Sequence, residues 1–329
     1  MTYPDMQSKS AQLYERANQL LPLGSTRQAA FFKHYPVYAA FCKGSRVTDL
    51  DGVELIDYVC NYSPLIHGHC HPKIVEALRK QAGELLSIAL PTEAEVRLAE
   101  LVCERMPGID RIRFCNSGTE GVMFTIKAAR AYTNRPMIAK VEGAYHGSDD
   151  TASISTYPMP GRWGDPDAPY SVPQAGTTQH CAEDVPVIPM NDAEAARRLI
   201  TEPRAQLAAV LVDPMVKNLG YERATPEFIG AIREETAKHG ILLIFDEVYS
   251  FRLGYNGAQG VLGVNPDLTA MGKIIGGGLP VGAVGGSAAI MDELFDQRVK
   301  PPLEHSGTFN ANPMTMAAGA AAMELLTRD

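Results

Sequence analysis

The sequence lacks several features that mark specialised classes of protein. It has no basic segment followed by an apolar run near Met1 and no apolar run of membrane-spanning length, so we expect a soluble, cytoplasmic protein. Its six cysteines include no C-x-x-C pair, which argues against a zinc ribbon or a disulfide framework. The net charge of −8 gives no reason to expect nucleic acid or an anionic membrane as a partner. Small molecules are the expected partners.

The chain is long enough to form more than one structural unit. Its 329 residues, 45% of them hydrophobic, exceed the size at which single cores usually divide. Residues 7–22 predict an amphipathic helix, and residues 45–60 predict strands around the turn at Asp51 and Gly52. We therefore expect a separate N-terminal segment.

From about residue 71, helical patterns alternate with apolar strands. Helices are predicted at 72–87, 93–106, 118–133, 191–201 and 225–239, and strands at 111–115, 137–141, 208–212, 241–245 and 281–285. This alternation predicts an α/β fold with a mostly parallel central sheet flanked by helices. Ligands in such sheets bind at the carboxyl ends of the strands. Residues 157–189 have no periodicity and predict a long loop of the kind that often serves as a lid or binding loop.

Polar residues follow the first of these strands and lead directly into a helix. A phosphate would fit at 116–121, because free backbone N–H groups, the helix dipole and two hydroxyls all favour a dianion. The alternative is a simple helix cap formed by Ser117 or Thr119.

Two charged residues lie next to apolar segments, where an unpaired charge would be costly. Asp246 ends the strand 241–245, where it could form a structural ion pair, bind a metal or face a protonated ring nitrogen of a cofactor. Lys273 lies between the apolar segment 267–272 and three glycines, a candidate setting for the depressed pKa that a Schiff-base amine requires. The alternative for Lys273 is a solvated surface charge.

Other motifs lack the context that their chemistry needs. The glycines at 276–278 do not form the strand–G-x-G-x-x-G–helix pattern of a dinucleotide site, and there is no Walker A sequence. The segment 67–71, which reads HGHCH, resembles a metal cluster, but its spacing matches no common zinc pattern. Gly68 and Pro72 favour a turn before a helix instead, and no metal is expected.

Five motifs taken together resemble a known family. They are NSGTE at 116–120, GAYHG at 143–147, DEV at 246–248, GKIIGGG at 272–278 and SGTFN at 306–310. In order and spacing they resemble the class III pyridoxal-phosphate aminotransferases, nearest to the branch of glutamate-1-semialdehyde aminomutase and the β-amino-acid aminotransferases. The resemblance runs from about residue 20 to the end of the sequence.

The resemblance implies a fold and a division into domains. The fold is the fold type I of pyridoxal-phosphate-dependent transferases, similar to aspartate aminotransferase. Residues 1–62 would contribute to a small domain, and 63–310 would form the large cofactor-binding domain. Residues 311–329 would begin the connection to a C-terminal small domain that the sequence does not contain.

The resemblance also implies roles for residues around the cofactor. Tyr145 would stack on the pyridine ring, with His146 beside it in the same motif, and Asp246 would keep the ring nitrogen protonated. Lys273 would form the Schiff base and, once released, move the substrate proton. The residues expected to hold the phosphate are Ser117, Gly118 and Thr119.

Two further residues carry expectations about assembly and substrate. Thr308 matches a position that reaches the phosphate of the neighbouring subunit, which implies a homodimer with shared active sites. Arg27 matches an arginine that binds a substrate carboxylate, its alternative being a solvated arginine in a loop. Asp213 stands where the family usually has glutamate, so contacts there are expected to differ.

The function implied is transfer of an amino group between an amino acid, α or β, or an amine and an oxo acid. The alternatives are an intramolecular amino transfer like that of the aminomutase, an amino-acid racemase and, in a different class, an inactive cofactor-binding protein. The segment 148–175 does not resemble the aminomutase gating loop, which favours transamination. The identities of the amino donor and acceptor are not predicted.

Overall fold

The computed structural model of the chain describes residues 3–157, 159–296, 298 and 300–328. Its Cα positions divide into two compact units, residues 1–76 and 77–329. The predicted assignment of 1–62 to a small domain and of 63–310 to a large domain stays a prediction.

The first unit contains a helix and a small antiparallel sheet. Helix α1 spans Lys9–Ala17, and strands β1 (Ala39–Lys43), β2 (Arg46–Asp49) and β3 (Glu54–Ile56) pair in that order. Strands β2 and β3 confirm the predicted strands around Asp51. The Asp49 carboxylate accepts hydrogen bonds from the backbone N–H groups of Asp51 and Val53 and thereby closes the turn between them. The predicted helix at 7–22 is shorter than expected and is followed by a 3-10 turn at Pro22–Gly24.

The remaining helices begin with α2 at Pro72–Glu84, which contains the division between the units. The others are α3 (Glu93–Arg105), α4 (Gly118–Thr133), α5 (Asp150–Ser153), α6 (Gln179–Glu183), α7 (Ala193–Thr201), α8 (Pro226–His239), α9 (Glu247–Ser250), α10 (Gly257–Leu262), α11 (Ala288–Phe295) and α12 (Pro313–Glu324). Further 3-10 turns lie at Gln28–Ala30, Lys217–Leu219, Phe251–Leu253 and Lys273–Gly276.

The strands of the second unit are β4 (Arg111–Cys115), β5 (Met137–Val141), β6 (Gly164–Asp165), β7 (Ala168–Pro169), β8 (Val187–Ile188), β9 (Leu207–Val212), β10 (Met215–Val216), β11 (Glu222–Arg223), β12 (Leu242–Asp246), β13 (Leu268–Gly272) and β14 (Gly282–Gly286). Strands β6 and β7 pair with each other, as do β10 and β11. The segment 157–189, predicted as an uninterrupted loop, contains β6, β7, α6 and β8.

Seven strands form the central sheet, in the order β4-β14-β13-β12-β9-β5-β8. Strands β13, β12, β9, β5 and β8 are parallel, whereas β14 is antiparallel to both of its neighbours. The connection 273–281 is shorter than the dozen or so residues that a parallel crossover needs, so β14 returns antiparallel to β13. The predicted α/β fold with a mostly parallel sheet is confirmed.

The sheet is covered on both faces, which explains its apolar strands. All six residues of β9 are buried, as expected for a parallel strand between two layers of helices. Leu211 packs in a cluster that includes residues of α4 and α11, whereas its neighbour Val210 packs in a cluster that includes residues of α7 and α8. Successive side chains of a strand point to opposite faces, so the core lies on both sides of the sheet.

Candidate active site

The register of the central sheet aligns the strand ends that carry the predicted site. Cys115 at the end of β4 and Gly272 at the end of β13 both pair with Gly282 of β14. Asp246 pairs with Ala270, two residues before the end of β13. The motifs that follow β4, β12 and β13 therefore lie at one edge of the sheet, where parallel sheets bind ligands.

The predicted phosphate segment forms the beginning of α4. The Ser117 hydroxyl accepts a hydrogen bond from the backbone N–H of Glu120 at 3.2 Å, so Ser117 is the N-cap of the helix. Gly118 and Thr119 lie in the first turn, where helix geometry leaves backbone N–H groups without a helical acceptor. A Cβ atom at Gly118 would lie 2.8 Å from Val248 Cγ1, so a larger residue would not fit without a shift. The cap proposed as an alternative is present, and it leaves first-turn N–H groups for an anion.

The loop that carries Tyr145 and His146 contacts this helix start. Gly147 has φ +94°, and a Cβ atom there would lie 2.5 Å from Thr119 Oγ1. Only glycine combines that backbone conformation with so close an approach. Tyr145 is 44% exposed, whereas His146 is 2% exposed.

Asp246 is held by two hydrogen bonds inside the protein. One carboxylate oxygen accepts from the backbone N–H of Val248 at 2.9 Å, and the other lies 2.8 Å from Nδ1 of His146. Burial lowers the pKa of His146 below its usual value, although the carboxylate of Asp246 opposes this shift. A neutral His146 therefore carries its proton on Nδ1, because a carboxylate can only accept, and leaves Nε2 as a buried acceptor without a hydrogen-bond partner.

Lys273 follows β13 and begins a 3-10 turn in a left-handed conformation, with φ 50°. Burial lowers the pKa of its amine, and attraction to the carboxylate of Asp246 opposes the shift. Repulsion from the cation of Lys217 lowers the pKa of Lys273 further. A lowered pKa raises the fraction of neutral amine, which is the nucleophilic form. Lys273 Nζ lies 5.6 Å from the centroid of the Tyr249 ring.

Two more carboxyl groups are buried near this edge. Burial, and then repulsion from Asp246, hold the pKa of Asp213 well above its usual range, which favours its protonated form. Burial also raises the pKa of Glu247 to about 7. The side chain of Glu247 accepts hydrogen bonds from the backbone N–H groups of Ala258 and Gln259, so it anchors the beginning of α10.

The sequence reasoning missed a buried lysine that supports the Tyr145 loop. Lys140 is 1% exposed, and its Nζ donates hydrogen bonds to the carbonyl oxygens of Ala144 at 3.0 Å and Ile154 at 2.6 Å. Burial lowers its pKa to about 7. A lysine inside the otherwise apolar strand 137–141 was the available signal.

A second missed residue fixes the other side of the loop. The Asn218 side-chain amide donates to the carbonyl oxygens of Gly143 at 3.0 Å and Thr156 at 3.1 Å. These bonds join the segment after β10 to the beginning and the end of the loop that contains Tyr145.

Thr308 and Arg27 are exposed, and their roles stay predictions. The segment of Thr308 is tied to the predicted phosphate segment, because the Asn310 side chain accepts a hydrogen bond from the Asn116 side chain at 3.0 Å. Arg27 lies in the first unit, where its Nη1 donates to the side chain of Asn61 at 2.9 Å.

In the HGHCH segment, Nε2 of His69 lies 2.6 Å from the Asp57 carboxylate. Across the described residues, no group of three His, Cys, Asp or Glu side chains is arranged to hold a metal ion. All six cysteines are free thiols. No helix in the described ranges is long and apolar enough to cross a membrane.

Comparison with known proteins identifies the family. The model of the class-III aminotransferase family matches residues 31–329. A glutamate-1-semialdehyde 2,1-aminomutase of an Exiguobacterium species is 41% identical, over 99% of this chain and 74% of the relative.

Solved structures are similar over most of the chain as well. An omega-transaminase from Sphaerobacter thermophilus is 52% identical with a TM-score of 0.96, over 99% of this chain and 74% of that chain. A β-phenylalanine aminotransferase from Variovorax paradoxus is 36% identical with a TM-score of 0.85, over 95% of this chain and 67% of that chain. A transaminase with bound PLP is 43% identical with a TM-score of 0.91, over 97% of this chain and 74% of that chain. The predictions of fold type, enzyme class and cofactor are confirmed, and the chain belongs to the class-III aminotransferase family.

Proposed function

We propose that the protein transfers an amino group between an amino acid or amine and an oxo acid, with pyridoxal phosphate at the carboxyl-terminal edge of the sheet. The observation that carries the proposal is the convergence of the lysine of lowered pKa, Lys273, with the buried carboxylate Asp246 and the beginning of α4.

The residues at this edge fit the cofactor. First-turn N–H groups of α4, with the Ser117 and Thr119 hydroxyls, would hold the phosphate, and Gly118 allows this turn to approach Val248 closely. Asp246, which is 4% exposed, would face the ring nitrogen, and the exposed ring of Tyr145 would stack on the pyridine. His146 would orient the carboxylate through its Nδ1 bond.

Bound pyridoxal phosphate would supply an aldehyde carbon that reacts with amines and a ring that accepts electrons from the substrate. Lys273 would attack as the neutral amine and, after its displacement by the substrate amine, would take the substrate proton at Nζ. Asp246 would face the ring nitrogen, with His146 and the Val248 N–H fixing its two carboxylate oxygens. Because Asp213 is favoured in its protonated form, it would not add a second full charge.

We further propose a cytoplasmic homodimer in which Thr308 of each subunit reaches the cofactor phosphate of the other, and Arg27 binds a substrate carboxylate. Residues 1–62 would belong to a small domain and 63–310 to the large domain. The exposure of Thr308 and Arg27 supports contacts beyond their own side-chain neighbours. Sedimentation of a fully active wild-type monomer would remove the argument for shared sites.

An intramolecular amino transfer is the second candidate, because curated relatives at 40–41% identity are named as aminomutases. A screen of amino donors and oxo acceptors with the purified protein separates the two. Transamination consumes donor and acceptor in equal amounts, whereas an aminomutase isomerises one compound without an acceptor.

The same screen tests the remaining alternatives. A racemase would invert a donor without any acceptor. An inactive binder would leave both the substrates and the visible spectrum of its cofactor unchanged.

A further inference from the structure

Lys217 is an exposed cation placed directly after a buried strand. Met215 and Val216 of β10 are buried, and the chain then forms the 3-10 turn Lys217–Leu219. In the described ranges Lys217 forms no ion pair with a carboxylate. Its charge is therefore not neutralised by a neighbouring acidic side chain.

The position of Lys217 is fixed relative to the loop that carries Tyr145. The neighbouring Asn218 is bonded to the carbonyl oxygens of Gly143 and Thr156, on both sides of that loop. Lys217 Nζ lies 5.5 Å from the centroid of the Tyr145 ring, within the range of a cation–π contact. An exposed lysine with this backbone support loses less conformational freedom on binding than one on a free loop.

The field of Lys217 also reaches the catalytic lysine. Burial is the main cause of the lowered pKa of Lys273, and repulsion from Lys217 adds to it. Asp246, whose carboxylate opposes the lowered pKa of Lys273, is buried, and the buried Asp213 favours its protonated form. Lys217 is therefore the exposed cation beside Tyr145.

We propose that Lys217 is a specificity-determining residue that attracts the carboxylate of an oxo acid or amino acid to the site beside Tyr145. The inference rests on the proposed amino transfer. It concerns Lys217 alone, which is tied to the loop of Tyr145 through its neighbour Asn218. The alternative roles for Lys217 are a solvated surface charge and a contact to the cofactor phosphate alone.

The test compares wild type with Lys217→Met, Lys217→Arg and the control Lys127→Met, which removes an exposed lysine from α4. Pyruvate and its neutral counterpart pyruvamide serve as acceptors, and kcat/KM is measured for each. From the free energies of exposed ion pairs and charge-assisted hydrogen bonds, we expect Lys217→Met to lower kcat/KM for pyruvate about five- to tenfold. We expect little change for pyruvamide, a restored preference in Lys217→Arg and no effect in the control.

A binding measurement separates this inference from the proposed function. Isothermal titration calorimetry of the holoenzyme with propanoate and propanamide, neither of which can accept an amine, is expected to show weaker propanoate binding in Lys217→Met only. Equal losses for the charged and neutral probes, or a changed affinity for pyridoxal phosphate alone, would overturn the role of Lys217. Wild type that binds propanoate through Lys217 but transfers no amine would overturn the proposed function instead.

Discussion

Replacing Lys140 with methionine tests the energetics of the loop that carries Tyr145 and His146. Lys140 is buried in β5, and its amine donates to two loop carbonyls, those of Ala144 and Ile154. Methionine is a long, flexible side chain that fills the same space without a charge. It leaves both carbonyls without this donor, at a cost of about 1–3 kcal/mol for each buried group, offset by the removal of a buried amine.

The pH dependence gives the sharper prediction. Burial lowers the pKa of Lys140 to about 7 in the folded protein, whereas an unfolded lysine titrates near 10.4. Between these values the unfolded chain binds more protons than the folded chain, so the free energy of unfolding rises with pH, by about 1.4 kcal/mol per unit at most. This gain in the free energy of unfolding is absent below about pH 7 and grows toward pH 10. Since Lys140 is half titrated at pH 7, we expect a gain of about 2 kcal/mol between pH 7 and 9.

The assay is urea unfolding of the holoenzyme at pH 7, 8 and 9. Lys140→Met should lack the gain, so its loss of stability relative to wild type should grow by about 2 kcal/mol across this range. Lys127→Met is the control, because Lys127 is exposed on α4. A constant difference between Lys140→Met and wild type at the three pH values would refute the assignment of a neutral, buried Lys140.

Three further predictions concern the proposed chemistry. Lys273→Ala should abolish turnover, and borohydride reduction followed by mass spectrometry should find no cofactor attached to the chain; a cofactor attached to another lysine would contradict the assignment. Asp246→Asn should still bind cofactor while kcat falls by orders of magnitude, each ~1.4 kcal/mol lost from the transition state slowing the reaction tenfold; an unchanged kcat would exclude the role of the charge. Arg27→Ala should lower kcat/KM for an amino acid by roughly tenfold or more, with little effect on an arylalkylamine, because charge-assisted hydrogen bonds contribute about 1.5–3 kcal/mol. Equal losses on both substrates would show that Arg27 supports structure.

Local signals account for the elements that the sequence predicted well. Helix α4 begins and ends where it was predicted, since Ser117 caps its first turn and Asn134 ends it in a left-handed conformation. Strands β9 and β12 were evident as apolar runs because both of their faces are buried. Strand β13 was not identified as a strand: its five residues include Thr269 and Gly272, and a short mixed run has no distinctive period.

Some residues of the candidate site were predicted from the sequence and others were missed. Lys273 and Asp246 were predicted as site residues because each occurs in a motif next to a strand end. Lys140 and Lys217 were missed because a lysine is usually a solvated charge; the apolar neighbours of Lys140 in β5 were a signal of its burial, whereas Lys217 had no such signal. Only the fold around Lys140 reveals that its amine meets two carbonyl oxygens.

Local patterns in the sequence were sufficient to predict several helices and strands of the second unit and the motifs that follow the strands, since caps, periodicity and turn residues act over a few neighbouring positions. The tertiary structure alone decided that β14 lies between β4 and β13, so that Cys115 and Gly272 pair with the same residue and their motifs share one edge. It also decided the charge states at that edge. Strand neighbours and desolvation depend on residues far apart in the chain, as the pairing of His146 with Asp246 illustrates, and no local pattern encodes them.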